Sequence, residues 1–132
     1  MKSYRLSLFL LAGLACLVPS VYATPAAAQG TWAAIALSTK TGAWGTSYNY
    51  EDEDEARSRA LRECRKNASD CKVYKTLENA CVALAGDGSG NFGWAWGYET
   101  ISERRRRAVQ QCRDQGGKGC EVVTTFCSGK AE

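Results

Sequence analysis

Two stretches of the chain carry the same succession of patterns. Trp32 to Ser38 is a short apolar run closed by Thr39-Lys40-Thr41-Gly42, a turn composition, and Trp44 to Tyr50 then alternates. Further on, Val82 to Ala85 precedes Gly86-Asp87-Gly88-Ser89-Gly90, a hairpin turn, and Phe92 to Tyr98 alternates more sharply. There Phe92, Trp94, Trp96 and Tyr98 fall on one face of a strand, with Gly93, Ala95 and Gly97 on the other. After each alternating segment the apolar spacing becomes helical, through Ala56, Ala60, Leu61 and Cys64 and through Ile101, Ala108, Val109 and Cys112. Thr100 with Glu103, and Asp52 with Glu55, sit at capping offsets where these helices would start. Asn67 and Gly116-Gly117 lie in the loops that would end them. Lys72 to Leu77 and Glu121 to Phe126 predict one closing strand each, so each stretch reads as strand, hairpin, strand, helix, strand.

Laid over one another, the stretches form an internal repeat. Ala34-Ile35-Ala36 matches Ala83-Leu84-Ala85, and after a one-residue gap Trp44-Gly45 matches Phe92-Gly93 and Tyr50-Glu51 matches Tyr98-Glu99. Glu55, Arg57, Arg59, Ala60-Leu61 and Cys64 then match Glu103, Arg105, Arg107, Ala108-Val109 and Cys112. Cys71 and Cys81 are expected to correspond to Cys120 and Cys127, with changes in loop length. Two copies are too few for a solenoid, which needs about three. The expectation is an α+β fold built from two ββαβ units, about 31–80 and 81–128, related by a pseudo-two-fold axis inside one domain.

Ahead of the repeat, Lys2 and Arg5 precede an apolar run from Leu8 to Val18, followed by Pro19-Ser20 and the small-residue patterns Val21-Tyr22-Ala23 and Ala26-Ala27-Ala28. The run is too short for a ~30 Å hydrocarbon core. It reads as a secretory signal peptide over 1–23, with cleavage as late as 28 as a second option, and leaves a domain over 24–132. A lipid anchor at Cys16 fits poorly, because Gly13-Leu14-Ala15 places Leu wrongly and the apolar run continues through Leu17-Val18. The leader holds two of the 17 Lys and Arg, so the balance against 14 Asp and Glu falls from +3 to +1 without it. Net charge then gives no argument for a polyanion, and nucleic acid is not an expected partner. No other stretch is long enough for a transmembrane span, so the expected location is periplasmic or extracellular.

Export changes the meaning of the cysteines. Cys64, Cys71, Cys81, Cys112, Cys120 and Cys127 are even in number in a small exported domain, where disulfides are the default. They lack the paired CxxC spacing of a zinc site, and no metal or cofactor is expected. The strand and helix order suggests Cys64 with Cys71 and Cys112 with Cys120, each joining a helix end to the next strand. Cys81 with Cys127 would then link the halves.

Several segments resemble domain-of-unknown-function family 4189. They are Trp32-Ala33-Ala34-Ile35-Ala36, Gly42-Ala43-Trp44-Gly45, Glu55 through Ala60-Leu61-Arg62-Glu63-Cys64, Asn79-Ala80-Cys81-Val82-Ala83-Leu84-Ala85, Gly93-Trp94-Ala95-Trp96-Gly97, and Val122-Val123 to Phe126-Cys127-Ser128. The resemblance implies a small exported bacterial protein and carries over no catalytic residue. Thr46-Ser47 stands where the second half has Trp94-Ala95, which weakens any shared aromatic surface in the first half.

The aromatic strands are the first candidate surface. Trp44, Tyr48 and Tyr50, with Phe92, Trp94, Trp96 and Tyr98, suit a stacking platform for sugar rings or an anchor for a protein partner. The same side chains suit a core, and the opposing Gly and Ala suit close approach of a helix, so alternation leaves open which face is inside. The charge runs come second. Glu51 to Glu55 opens one helix, where acidic side chains favour the dipole, and Arg104 to Arg107 lies within the other. Arg104 and Arg105 are candidate docking cations for an anionic partner, although four successive arginines cannot form one flat patch. Opposite charge on equivalent helices also offers a way to pair the halves, or two molecules.

Enzyme chemistry is constrained from several sides. The chain has no histidine, which excludes Ser-His and Cys-His catalysis and HExxH metal sites. Oxidised cysteines are not nucleophiles. Asp87, Ser89 and Asn91 alternate oxygen ligands, but Phe92 and Tyr98 stand where a calcium loop needs Gly and Glu. Glu51 and Glu99 remain as a glycosidase-like pair if an axis brings them within ~5–10 Å. The expected function is an exported, non-enzymatic binding protein for an envelope glycan, another envelope component or another protein. The alternatives are an inhibitor or immunity protein against a secreted toxin, and a hydrolase using Glu51 and Glu99.

Overall fold

A computed structural model describes residues 30–129. The leader and Cys16 lie outside these residues. The elements run β1 (Trp32–Leu37), β2 (Trp44–Tyr50), α1 (Glu53–Arg65), β3 (Lys72–Glu78), β4 (Cys81–Gly86), β5 (Phe92–Trp96), α2 (Ile101–Asp114) and β6 (Glu121–Cys127). The fold is α+β, and each half follows the expected order of strand, strand, helix, strand. Asp52 caps α1 by accepting from the N–H groups of Asp54 (2.8 Å) and Glu55 (3.0 Å), and Thr100 Oγ1 caps α2 by accepting from Glu103 N–H (3.2 Å).

The strands form two antiparallel three-stranded sheets, ordered β2-β1-β3 and β5-β4-β6. Side-chain size decides how they stack. Ile35, Leu37, Leu77, Val82, Leu84, Phe92 and Phe126 pack together between the sheets. On its outer face the first sheet presents Ala34 and Ala36 to Ala56, Ala60 and Cys64 of α1. The second presents Ala83, Ala85 and Ala95 to Ala108 and Cys112 of α2. Small residues let each helix lie close, and Gly45 and Gly93 are the extreme cases. A Cβ on Gly45 would run into the backbone of Ala60 and Cys64, and one on Gly93 into that of Ala108 and Cys112. The result is four layers, helix, sheet, sheet and helix, so both faces of the alternating strands are covered. The helices sit on opposite outer faces, and the acidic and basic runs do not pair the halves.

Tyr48 stacks on Phe126 with centroids 5.7 Å apart, and Tyr74 meets Trp94 edge-on. β2 therefore lies over β6, and β3 over β5, on opposite sides of the sandwich. Two aromatics depart from strict alternation. Asn49 has φ 61° inside a bulge, and Gly97 has φ 75°. Each resets the chain by a residue, so Tyr50 and Tyr98 turn to the helix side rather than sharing a face with Trp44 and Trp94.

The disulfides are Cys64–Cys71, Cys112–Cys120 and Cys81–Cys127, the pairing suggested by element order. The third does not link the halves. Cys81 and Cys127 are ladder partners on β4 and β6 of the second sheet, at the register where the first sheet has Trp32 opposite Glu78. Cys127 thus stands at the position of Glu78, not of Cys81. The halves are joined by the inter-sheet core and by the chain after β6. Ser128 Oγ donates to the Trp32 carbonyl and accepts from Asn49 N–H, both at 2.9 Å, and Gly129 N–H donates to Asn49 Oδ1. Among the described residues no helix is long and apolar enough to cross a membrane.

Candidate functional site

β2 and β5 are edge strands, and each is flanked by its own helix. Along β2 this leaves an open groove of about 730 Å³, lined by Trp44 to Tyr48 of the strand, by Arg59 and Glu63 of α1 and by Lys66 at its C-cap. Along β5 the corresponding groove is about 380 Å³, lined by Trp94 to Trp96, Tyr98, Arg107, Gln110, Gln111 and Asp114. An edge strand carries main-chain donors and acceptors that no neighbour uses. In the second half Gln111 takes one of them, its Oε1 accepting from Trp94 N–H at 2.6 Å.

The first half does not repeat this contact. Thr46 stands opposite Ile35 as Trp94 stands opposite Leu84, so its N–H turns outward in the same way. The residue matching Gln111 is Glu63, and its carboxylate is engaged elsewhere. Arg59 and Lys66 each donate to it at 2.7 Å. The Lys66 hydrogen bond, ahead of the Arg59 charge, holds the Glu63 carboxyl below its ordinary value. Fixed between Arg59 of its own helix and Lys66 at the helix's C-cap, Glu63 leaves the β2 edge open.

Trp44 and Tyr48 line the first groove, and Trp94, Trp96 and Tyr98 line the second. Arg105 is exposed, whereas Arg104 is 7% exposed and donates to the Tyr98 carbonyl. Arg104 thus fastens the turn before α2 and is not a surface cation, because its position matches the buried Ala56 of α1. Arg107 instead lies over the Tyr98 ring, 5.4 Å from its centroid. Glu51 and Glu99 are exposed and follow β2 and β5, which lie on opposite sides of the sandwich. Asp87 closes its own hairpin, accepting from Ser89 N–H and Asn91 N–H and, at 2.7 Å, from Asn91 Nδ2. The Asn91 side chain, followed by the Ser89 N–H, holds the Asp87 carboxyl down to about 2. No group of His, Cys, Asp and Glu suited to a metal ion occurs among the described residues.

A family model described as Domain of unknown function (DUF4189) matches residues 32–127, from the first residue of β1 to the last of β6. The chain belongs to that family. No curated protein and no solved structure matches it. Within this DUF4189 domain, three contributors escaped the sequence reading: Glu63 with its two cations, Gln111 at the matching position, and the pair Tyr74-Lys75 on β3. The repeat held the signal for the first two, since Glu63 and Gln111 align at the same offset as Cys64 and Cys112. Tyr74 and Lys75 gave none, because a bulge in β3 decides which way they turn.

Proposed function

We propose that this is an exported, non-enzymatic binding protein that takes an extended segment of a protein partner along the edge of β2. The contrast between Thr46 and Trp94 carries the reading: one edge is satisfied by Gln111, while its counterpart opens into the larger groove. A strand laid on β2 gains main-chain hydrogen bonds. Trp44 and Tyr48 (52% exposed) offer it apolar contact, and Arg59 and Lys66 favour an acidic side chain nearby. A secreted toxin held by an inhibitor is one partner of this kind. Export is supported by the leader pattern and by three disulfides in a small chain. We read the halves as related by a pseudo-two-fold, since β2 over β6 and β5 over β3 are one pairing made twice. The hairpin tips support it, with Gly42 against Gly88 and Gly90 against Thr39.

The test is selection of linear peptides from a random display library on the oxidised protein. Enriched peptides should bind Thr46→Pro roughly tenfold more weakly, about the worth of one or two main-chain bonds, while circular dichroism stays native. Glu63→Gln, which recreates the Gln111 cap, should weaken them in the same direction. A selection that enriches nothing, or peptides that bind Thr46→Pro as they bind the wild type, would end this reading.

A further inference from the structure

A separate cluster lies on the opposite side of the sandwich, where β3 passes over β5. Trp94 and Trp96 stack as a slab, with centroids 4.6 Å apart and planes 13° apart, and Tyr74 meets Trp94 edge-on at 6.0 Å. Trp96 is 44% and Tyr74 57% exposed, so the slab reaches the surface. Lys75 Nζ stands 5.5 and 5.1 Å from the two indole centroids. Among the described residues no carboxylate lies within ion-pair distance of that ammonium. The matching positions across the repeat are Thr46 and Tyr48 for the tryptophans, and Val123 and Thr124 for Tyr74 and Lys75, so the cluster belongs to one side of the molecule only.

We propose that this cluster binds an acidic saccharide, a pyranose chain that carries carboxylates. Indole faces bear negative π density, and the axial C–H bonds of a pyranose, polarised by the sugar oxygens, lie against such faces. Lys75 adds what a bare aromatic platform lacks. The indoles hold its ammonium at the rim with no carboxylate of its own, where it pairs with the acid group of a stacked sugar. Arg107, Gln110 and Asp114 line the adjoining groove, the last two joined by a 2.8 Å hydrogen bond, and they offer donors and acceptors to hydroxyls. An acidic peptide satisfies the cation equally but presents no row of polarised C–H groups to the slab. This site shares no side chain with the β2 groove, so either proposal stands or fails alone.

Tryptophan fluorescence titration tests it, with two acidic saccharides as probes, tetragalacturonate and the N-acetylglucosamine–N-acetylmuramic acid disaccharide. At least one should bind saturably, and which one does separates a uronate polymer from a muramyl glycan as the source. Methyl esterification of the bound probe and Lys75→Met should each weaken it by roughly tenfold, and Trp96→Ala by more. Both variants sit at exposed or rim positions and should keep the wild-type melting temperature. Four outcomes would overturn the proposal: neither probe binds, the ester binds equally, Trp96→Ala binds equally, or polyglutamate binds as tightly as the better saccharide.

Discussion

Gly93→Ala adds one methyl group where α2 crosses β5, and it should be among the most costly small changes in the molecule. The new Cβ would meet the Ala108 carbonyl and the Cys112 amide, both backbone atoms of a regular helix. A flexible side chain could swing away, but here the strand and helix must part, and Cys112 is tied by its disulfide to Cys120. Overpacking a close-packed interior costs ~1–3 kcal/mol, and backbone neighbours put this case at about 3. In a domain of this size each kcal/mol lowers the melting temperature by ~4–8 °C, so the drop should be ~12–24 °C. Gly45→Ala meets Ala60 and Cys64 in the same way and should cost as much. The two sites lie in different layers, so their effects should add. Gly88→Ala is the control: it has φ 74° but nothing within 4 Å of its Cβ, so only backbone strain of ~1 kcal/mol applies. Urea unfolding followed by circular dichroism, with the disulfides intact, measures all three. If Gly93→Ala or Gly45→Ala stays within ~1 kcal/mol of wild type, or Gly88→Ala costs as much as either, close helix approach is not what these glycines provide.

The disulfides should open in a set order. Cys127 is exposed, whereas Cys64, Cys71, Cys112 and Cys120 are buried, so mild reductant should free Cys81 and Cys127 first. Alkylation and peptide mapping would show this, and earlier loss of Cys64–Cys71 would contradict it. Opening the bridge that spans 46 residues should remove ~4 kcal/mol on the loop-entropy model, against ~2.5 for the shorter loops. Asp87 predicts an acid dependence. Its folded value of about 2 lies below the ordinary 3.8, so its contribution is present above pH ~4 and is lost as pH falls through about 2. The stability gap between wild type and Asp87→Ala should therefore be flat at neutral pH and close between pH ~4 and ~2, and a gap that persists at the acid end would refute the assignment.

The layers were legible in the sequence because size and period agree along each strand. Ala34 and Ala36 alternate with Ala33, Ile35 and Leu37, and Gly93 and Ala95 alternate with Phe92, Trp94 and Trp96, so one side of each strand is small and the other mostly large. Which side lay inward had no answer in that form, because the true answer was both. The caps at Asp52 and Thr100 were readable for a local reason: a side-chain oxygen needs an N–H only two or three residues away. The turns of Tyr50 and Tyr98 toward the helices were not, since they depend on one positive φ at Asn49 and one at Gly97. Cys81–Cys127 was paired correctly but given the wrong task, because matching Cys127 to Cys81 hid that Cys127 occupies the place of Glu78. The Trp94 slab was visible as a pattern, but its cation comes from β3, a strand of the other sheet, which the sequence does not place beside β5.

The repeat separates scaffold from chemistry better than either half does alone. The small and cysteine positions that keep their residue type across it hold the layers together: Ala34 with Ala83, Gly45 with Gly93, Ala60 with Ala108, Cys64 with Cys112. These are helix-facing contacts with no room for another side chain, so both copies need them. Four of the positions that change fall on the open sides: Thr46 against Trp94, Glu63 against Gln111, Tyr74 against Val123, Lys75 against Thr124. None of these is needed to close a layer, since each half keeps its helix and sheet with either residue. These rim changes, which satisfy one strand edge while opening the other and place an ammonium beside indoles on one side only, are not required by packing. Packing would tolerate a symmetric molecule with two closed edges and no aromatic slab. The two binding sites proposed above would account for why the two sides differ.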